Sequence, residues 1–162
     1  MMTDKIERFT RRANHILWAS QGLAEKYKSQ VVTPEFMLLA MTHAEGTIAR
    51  HVLAHFDITQ SNLEPYLEQT LFPEFADTID PNSPHIQLSN TMKTVLELSV
   101  ESSRKLNHDY MGSENLLIGL MHLKSESMDK ILAHFDVQRD AIIHHAESYA
   151  KQADNLQDKN KE

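Results

Sequence analysis

Leu53-Ala54-His55-Phe56-Asp57 recurs letter for letter as Leu132-Ala133-His134-Phe135-Asp136, an offset of 79 residues. The same offset pairs Leu17 with Leu96, Ser20 with Ser99, Glu35 with Glu114, Leu38 with Leu117, His43 with His122 and Glu68 with Glu147. A single short match arises by chance. An offset held through a whole unit without insertion is the mark of a duplicated structural element.

Each unit reads as four helices. Ile6, Phe9, Ala13, Ile16, Leu17, Ala24 and Tyr27 keep helical spacing, with Ser20 on the same stripe, so one amphipathic helix is predicted over residues 4–28. Thr33-Pro34-Glu35 opens a second, with Thr33 as cap, Pro34 at the first helical position and Glu35 at the positive end of the dipole. That helix ends near Ala44, ahead of Gly46. A third spans Thr47 to His55, and a fourth follows the break at Asp57-Ile58-Thr59 and runs to Leu71, with Pro65 early in it. Pro73, Pro81, Asn82, Ser83 and Pro84 make 72–87 an irregular connector. Ser89 starts the second copy, where Gly112-Ser113-Glu114 stands in for Thr33-Pro34-Glu35. The expected fold is all-α: repeat one 4–71, repeat two 88–150, and a polar tail 151–162 that is either frayed helix or the start of a linker. A copy of roughly 65 residues buries little core alone. The two are therefore expected to pack as one pseudo-symmetric domain, 4–150.

Composition limits function. The chain has 162 residues, 41% hydrophobic and 24% charged, which suits a packed globular core. A formal charge of -7 argues against nucleic acid and against an anionic membrane surface. No run approaches the roughly 18 apolar residues of a membrane span. Met1-Met2-Thr3-Asp4-Lys5 is followed by no apolar segment of the secretory kind. The absence of cysteine excludes disulfides, thiolate metal sites and a cysteine nucleophile. A cytoplasmic location is the expectation.

No residue pattern points to catalysis or to a cofactor. Ser20 and Ser99 lie mid-helix on the packed stripe, where a small side chain serves close packing better than nucleophilic chemistry. His51 and His55 share a face, but no His-Glu-x-x-His accompanies them, and the position matching His51 is Lys130, a poor ligand; no metal site is expected. His55 and His134 are expected at the turns before Asp57 and Asp136, and His144-His145 on a solvated face. Met37, Met41, Met111, Met121 and Met128 suit either an adaptable groove or the core, with the core favoured by their spacing. Phe72 and Phe75 either pack the connector down or expose an apolar patch.

The stretch Glu97 to Leu120, and above all Tyr110-Met111-Gly112-Ser113-Glu114-Asn115-Leu116-Leu117, closely resembles the Clp N-terminal (Clp R) domain, especially its ClpC type. Phe9-Thr10-Arg11-Arg12-Ala13 resembles the family's opening Phe-Thr-x-x-Ala. The likeness covers residues 6–150, both repeats in order. It implies a non-catalytic module that binds protein substrates or adaptor proteins for Clp ATPase and protease components. No Gly-x-x-x-x-Gly-Lys-Ser/Thr phosphate loop is present, so ATP hydrolysis by that route is excluded. The chain is then either the N-domain of an unfoldase or a free-standing homologue that competes for adaptors or docks on the Clp complex; its two starting methionines and polar C-terminus favour the second.

Glu35 and Glu114 each set a carboxylate beside the free backbone N–H groups of a helix start, a place suited to a ligand carrying both signs. Equally, a first-turn Glu complements the helix dipole, worth about 0.3–1 kcal/mol. The resemblance implies phosphoarginine binding at these glutamates, with the hydroxyls of Thr10 and Ser89 as further donors. Ser113 keeps the hydroxyl where the family has Thr, whereas Pro34 has lost both hydroxyl and N–H. The family's His after the Glu is Phe36 in one copy and Asn115 in the other. The Glu114 motif is the better candidate.

Overall fold

A computed structural model describes residues 9–75 and 86–160, with side chains for 9–73 and 86–152. Among the described residues the first helix begins at Arg11, later than the apolar stripe through Phe9 predicted. Thr10 caps α1 (Arg11–Lys26), its Oγ1 accepting from the Ala13 N–H at 3.1 Å. Phe9 is therefore not on the helix; it forms a parallel bridge with Met111, and the Thr10 N–H donates to the Met111 carbonyl at 2.9 Å. Ile6 and the rest of 4–8 lie outside the described residues.

From there the order is β1 (Val31–Val32), α2 (Pro34–His43), α3 (Ile48–His55), α4 (Gln60–Thr70), α5 (Phe72–Phe75), β2 (Gln87–Leu88), α6 (Asn90–Lys105), α7 (Ser113–His122), α8 (Glu126–His134) and α9 (Arg139–Asn160). Hydroxyl caps open most of these helices: Thr47 holds the Arg50 N–H, Thr59 that of Asn62, Ser89 that of Met92 and Ser125 that of Met128. Thr33 departs from this pattern. It occupies the cap position, but the Phe36 N–H bonds its backbone carbonyl instead, and Thr33 Oγ1 is buried with no hydrogen-bond partner among the described residues. The predicted irregular connector carries one helical turn in α5 and a strand in β2; its residues 76–85 lie outside the described ones. Helix α9 continues through the predicted tail to Asn160.

The duplication is visible in three dimensions. Lys28 and Asn107 share positive φ angles of 60° and 59°, and Asp57 and Asp136 share 63° and 54°. Ser20 and Ser99 are fully buried, and each donates to the carbonyl four residues back at 2.7 Å. α2 and α7 are apolar nearly all round and buried up to their last residues, the exposed His43 and His122, as the central helices of a core must be. α1 packs on α2, and α6 on α7. Met37, Met41, Met111, Met121 and Met128 are all core residues, 0–1% exposed.

The repeats exchange parts. β1 pairs in parallel with β2, Val32 opposite Leu88, and the Ser89 N–H donates to the Val32 carbonyl. This is the 79-residue counterpart of the Phe9–Met111 bridge and its Thr10 bond. Each repeat thus docks its leading segment on the other's α1–α2 or α6–α7 turn. The third helices cross over as well: His55 stacks on His145 of α9 at 4.3 Å between centroids, and His134 stacks on Tyr66 of α4 at 4.0 Å. His55 and His134 close their helices, but their rings serve this interface, and His145 is half-buried in it rather than solvated. His144 is exposed. One continuous apolar core joins the two units.

Burial, then His55, His51 and His144, hold the His145 imidazole below its ordinary value. The fold therefore favours the neutral ring, while the unfolded chain takes up the proton near pH 6.5. This contribution to stability is complete above that pH and is lost as pH falls toward the folded value. Burial shifts His43 in the same direction. Calorimetry should give a lower melting temperature at about pH 5.5 than at about pH 7.5, and His145→Gln should narrow the gap without closing it.

Candidate functional site

The exchange of segments assembles the residues singled out from sequence. The Thr10 N–H bond to the Met111 carbonyl sets Thr10 against the loop that leads into Gly112-Ser113-Glu114. Its counterpart, Ser89 N–H to the Val32 carbonyl, sets Ser89 against Thr33-Pro34-Glu35. The five candidates therefore fall into two groups, Thr10 with Ser113 and Glu114, and Ser89 with Glu35. Each group draws on both repeats.

The two glutamates are deeply set, Glu35 at 5% and Glu114 at 4% exposure. Their carboxylates turn different ways for a steric reason. A Cβ at Gly112 would meet the Glu114 carboxylate, with Oε1 only 2.3 Å away, so the missing side chain is what lets Glu114 fold back over its own helix start. Thr33 holds the matching position in repeat one and carries a Cβ. Glu35 instead accepts a hydrogen bond from Ser127 of α8. The Tyr110 hydroxyl reaches Glu114 Oε2 at 3.4 Å, with its ring stacked on His108 at 4.5 Å.

Hydroxyls at these sites already hold main-chain groups. Ser113 Oγ accepts the Ala49 N–H at 3.2 Å, tying α7 to α3 of the other repeat. Thr10 and Ser89 cap their helices through the same oxygen that a ligand would meet as donor. Asn115 is fully buried and completes the start of α7, its Oδ1 accepting from the Gly112 N–H at 2.9 Å and its Nδ2 donating to Ser102 Oγ at 3.3 Å. At the equivalent position Phe36 makes an aromatic contact. Sequence reading missed Ser127 and Tyr110. The residue matching Ser127 is Ile48, so the repeat carried no signal for it.

No group of three or more His, Asp or Glu is placed to hold a metal ion among the described residues. No helix among them is long and apolar enough to cross a membrane. What the geometry offers is a pair of acidic helix starts framed by hydroxyls, set where two interlocked helical units meet.

That architecture is the duplicated helical type of interaction module. The chain belongs to the Clp repeat (R) N-terminal domain family, whose model matches residues 8–135. It is similar to the ATP-dependent Clp protease ATP-binding subunit ClpC of Staphylococcus aureus (strain USA300), 28% identical over 133 residues, which are 80% of this chain and 15% of that protein. A Mycobacterium bovis protein of uncharacterised function is 31% identical over 117 residues, 72% of this chain and 44% of its own. The chain thus spans about 15% of the length of the ClpC relatives it matches. In fold it is similar to the N-terminal domain of the chaperone ClpD from Arabidopsis thaliana, at a TM-score of 0.71 and 21% identity over 90% of this chain and 96% of that one. Clp N-terminal domains are non-catalytic protein-interaction modules.

Proposed function

We propose that this chain binds polypeptides of the Clp system, protein substrates or adaptor proteins, in the cytoplasm, and that phosphoarginine on such a polypeptide is received at the Glu114 motif. The observation that carries this reading is the grouping of Thr10 with Ser113 and Glu114 through the exchanged N-terminal segment. A guanidinium pairs with the carboxylate, and a phosphate suits the N–H groups and positive end of α7 together with the Thr10 hydroxyl. Rotation of the Thr10 and Glu114 side chains opens the site to the ligand. The Glu35 motif is the weaker of the two: Pro34 supplies no N–H there, and Ser127 already engages the carboxylate.

Titration with free phosphoarginine followed by residue-resolved NMR tests the proposal. Shifts should concentrate at Thr10 and Gly112–Glu114, and Glu114→Ala should weaken binding by roughly tenfold or more, as expected for loss of a charge-assisted pair. Shifts at neither motif would defeat phosphoarginine recognition. Binding of Clp components is tested separately, by pull-down with a Clp ATPase or adaptor against a scrambled control.

A further inference from the structure

The duplication provides an internal control for every surface position, and one helix face fails to match its copy. On α1, Arg11, His15, Trp18 and Gly22 follow one another at helical spacing and are all exposed. Their counterparts on α6 are Asn90, Thr94, Glu97 and Glu101, also all exposed. The second copy shows that the fold accepts an ordinary polar face here. In the first copy the same face is cationic and aromatic, on a chain whose formal charge is -7.

Trp18 is 67% exposed, an unusual state for the residue with the most apolar surface to bury. The His15 ring flanks it at 6.0 Å between centroids, tilted by 46°. One turn further on, a Cβ at Gly22 would meet nothing within 4 Å, so the surface beside the indole is open and low. Arg11 has no ion-pair partner among the described residues, whereas Arg12 is turned aside to the Gly46 carbonyl. Glu25 and Lys26 bound the stripe at its C-terminal end, and Lys26 is paired with Glu64. The available positive charge therefore sits at the N-terminal end, next to the indole.

We propose that this face of α1 docks an acidic polypeptide segment bearing an apolar side chain, which lies on Trp18 and beside Gly22 while its carboxylates meet Arg11 and His15. Charge complementarity selects the acidic partner, since the rest of the chain repels it and this stripe does not. Aromatic and Arg residues are the side chains that most often anchor such contacts. The surface is distinct from the Glu35 and Glu114 motifs and stands whether or not they bind phosphoarginine.

Trp18 is the only tryptophan, so it reports on its own occupancy. The probe is a capped peptide of sequence Asp-Glu-Phe-Asp-Glu, with Lys-Arg-Phe-Lys-Arg as control. The acidic peptide should shift Trp18 emission to the blue and protect it from acrylamide, saturably, and the basic one should not. Raising salt to about 0.5 M should weaken binding several-fold, and Arg11→Glu should do so by roughly fivefold. Trp18→Glu, read by anisotropy of labelled peptide, should weaken it by roughly tenfold or more. This variant copies the residue that α6 already carries, and an unchanged melting temperature would show that it folds. An equal response to both peptides, no response at millimolar acidic peptide, or indifference to Arg11→Glu would overturn the proposal. So would an emission shift that follows protein concentration alone, which would identify a second copy as the occupant.

Discussion

Gly119→Ala is expected to lower the unfolding free energy by about 3 kcal/mol, at the upper end of small-to-large changes in a packed core. An added Cβ would lie 2.3 Å from Ser99 Oγ, 2.7 Å from Ser99 N and 2.8 Å from the Val95 carbonyl oxygen. Two of these atoms belong to the backbone of α6 and cannot retract without moving the helix. The third is held in place, because Ser99 Oγ donates to that same Val95 carbonyl. Alanine improves helix propensity by about 1 kcal/mol, too little to offset the clash. A double variant with Ser99→Gly should recover only part of the loss, since the backbone contacts remain. At the equivalent position of repeat one stands Ala40, itself fully buried, so α1 and α2 accommodate a methyl where α6 and α7 do not. Urea unfolding reads the effect directly; a midpoint equal to that of the parent chain would mean that α6 and α7 are not this closely packed.

The reach of sequence reading follows from the kind of interaction involved. The 79-residue offset, the helix starts at Thr47, Ser89 and Pro34, and the burial of Ser20 and Ser99 are local or periodic, so they were legible. The start of α1 was not. Phe9 keeps the helical stripe, yet it is claimed by Met111 a hundred residues away, and Thr10 stops the helix from extending back. The pairing of β1 with β2 is non-local too, and two residues on each side leave no periodic pattern to read. The candidate glutamates were correctly placed at helix starts, but their depth was invisible. It depends on Ser127 and on the missing Cβ of Gly112, neither of which is repeated in the other copy, where Ile48 and Thr33 stand. The histidines show the same limit: His55 and His134 recur because the unit was copied, while their stacking partners, His145 and Tyr66, occupy equivalent positions without being the same residue.

Phe36→Ala is expected to cost about 4 kcal/mol, within the usual range for a fully buried aromatic residue. Phe36 is 0% exposed, stacks on Phe72 at 4.8 Å between centroids and lies 6.3 Å from Tyr27. Tyr27 and Phe72 are in turn 4.3 Å apart. This cluster decides the alternatives for Phe72, which packs at 3% exposure and pins the start of the connector to repeat one. The Phe75 side chain lies outside the described ones. Removing the Phe36 ring frees one face of Phe72, the ring between the two, and so loosens Tyr27, whose hydroxyl donates to Glu64 Oε2 at 2.6 Å and to Glu68 Oε2 at 3.2 Å. Burial acts to raise the Glu64 carboxyl, but hydrogen bonds from Tyr27, Lys26 and Gln60 outweigh it and hold the group below its ordinary value. Phe36→Ala and Glu64→Gln should therefore be less than additive in a double-mutant cycle, because the first already weakens the contact that the second removes. A loss of about 4 kcal/mol is a large share of the roughly 5–15 kcal/mol that holds a domain together. Fully additive losses would mean that the aromatic cluster and the Glu64 network are independent.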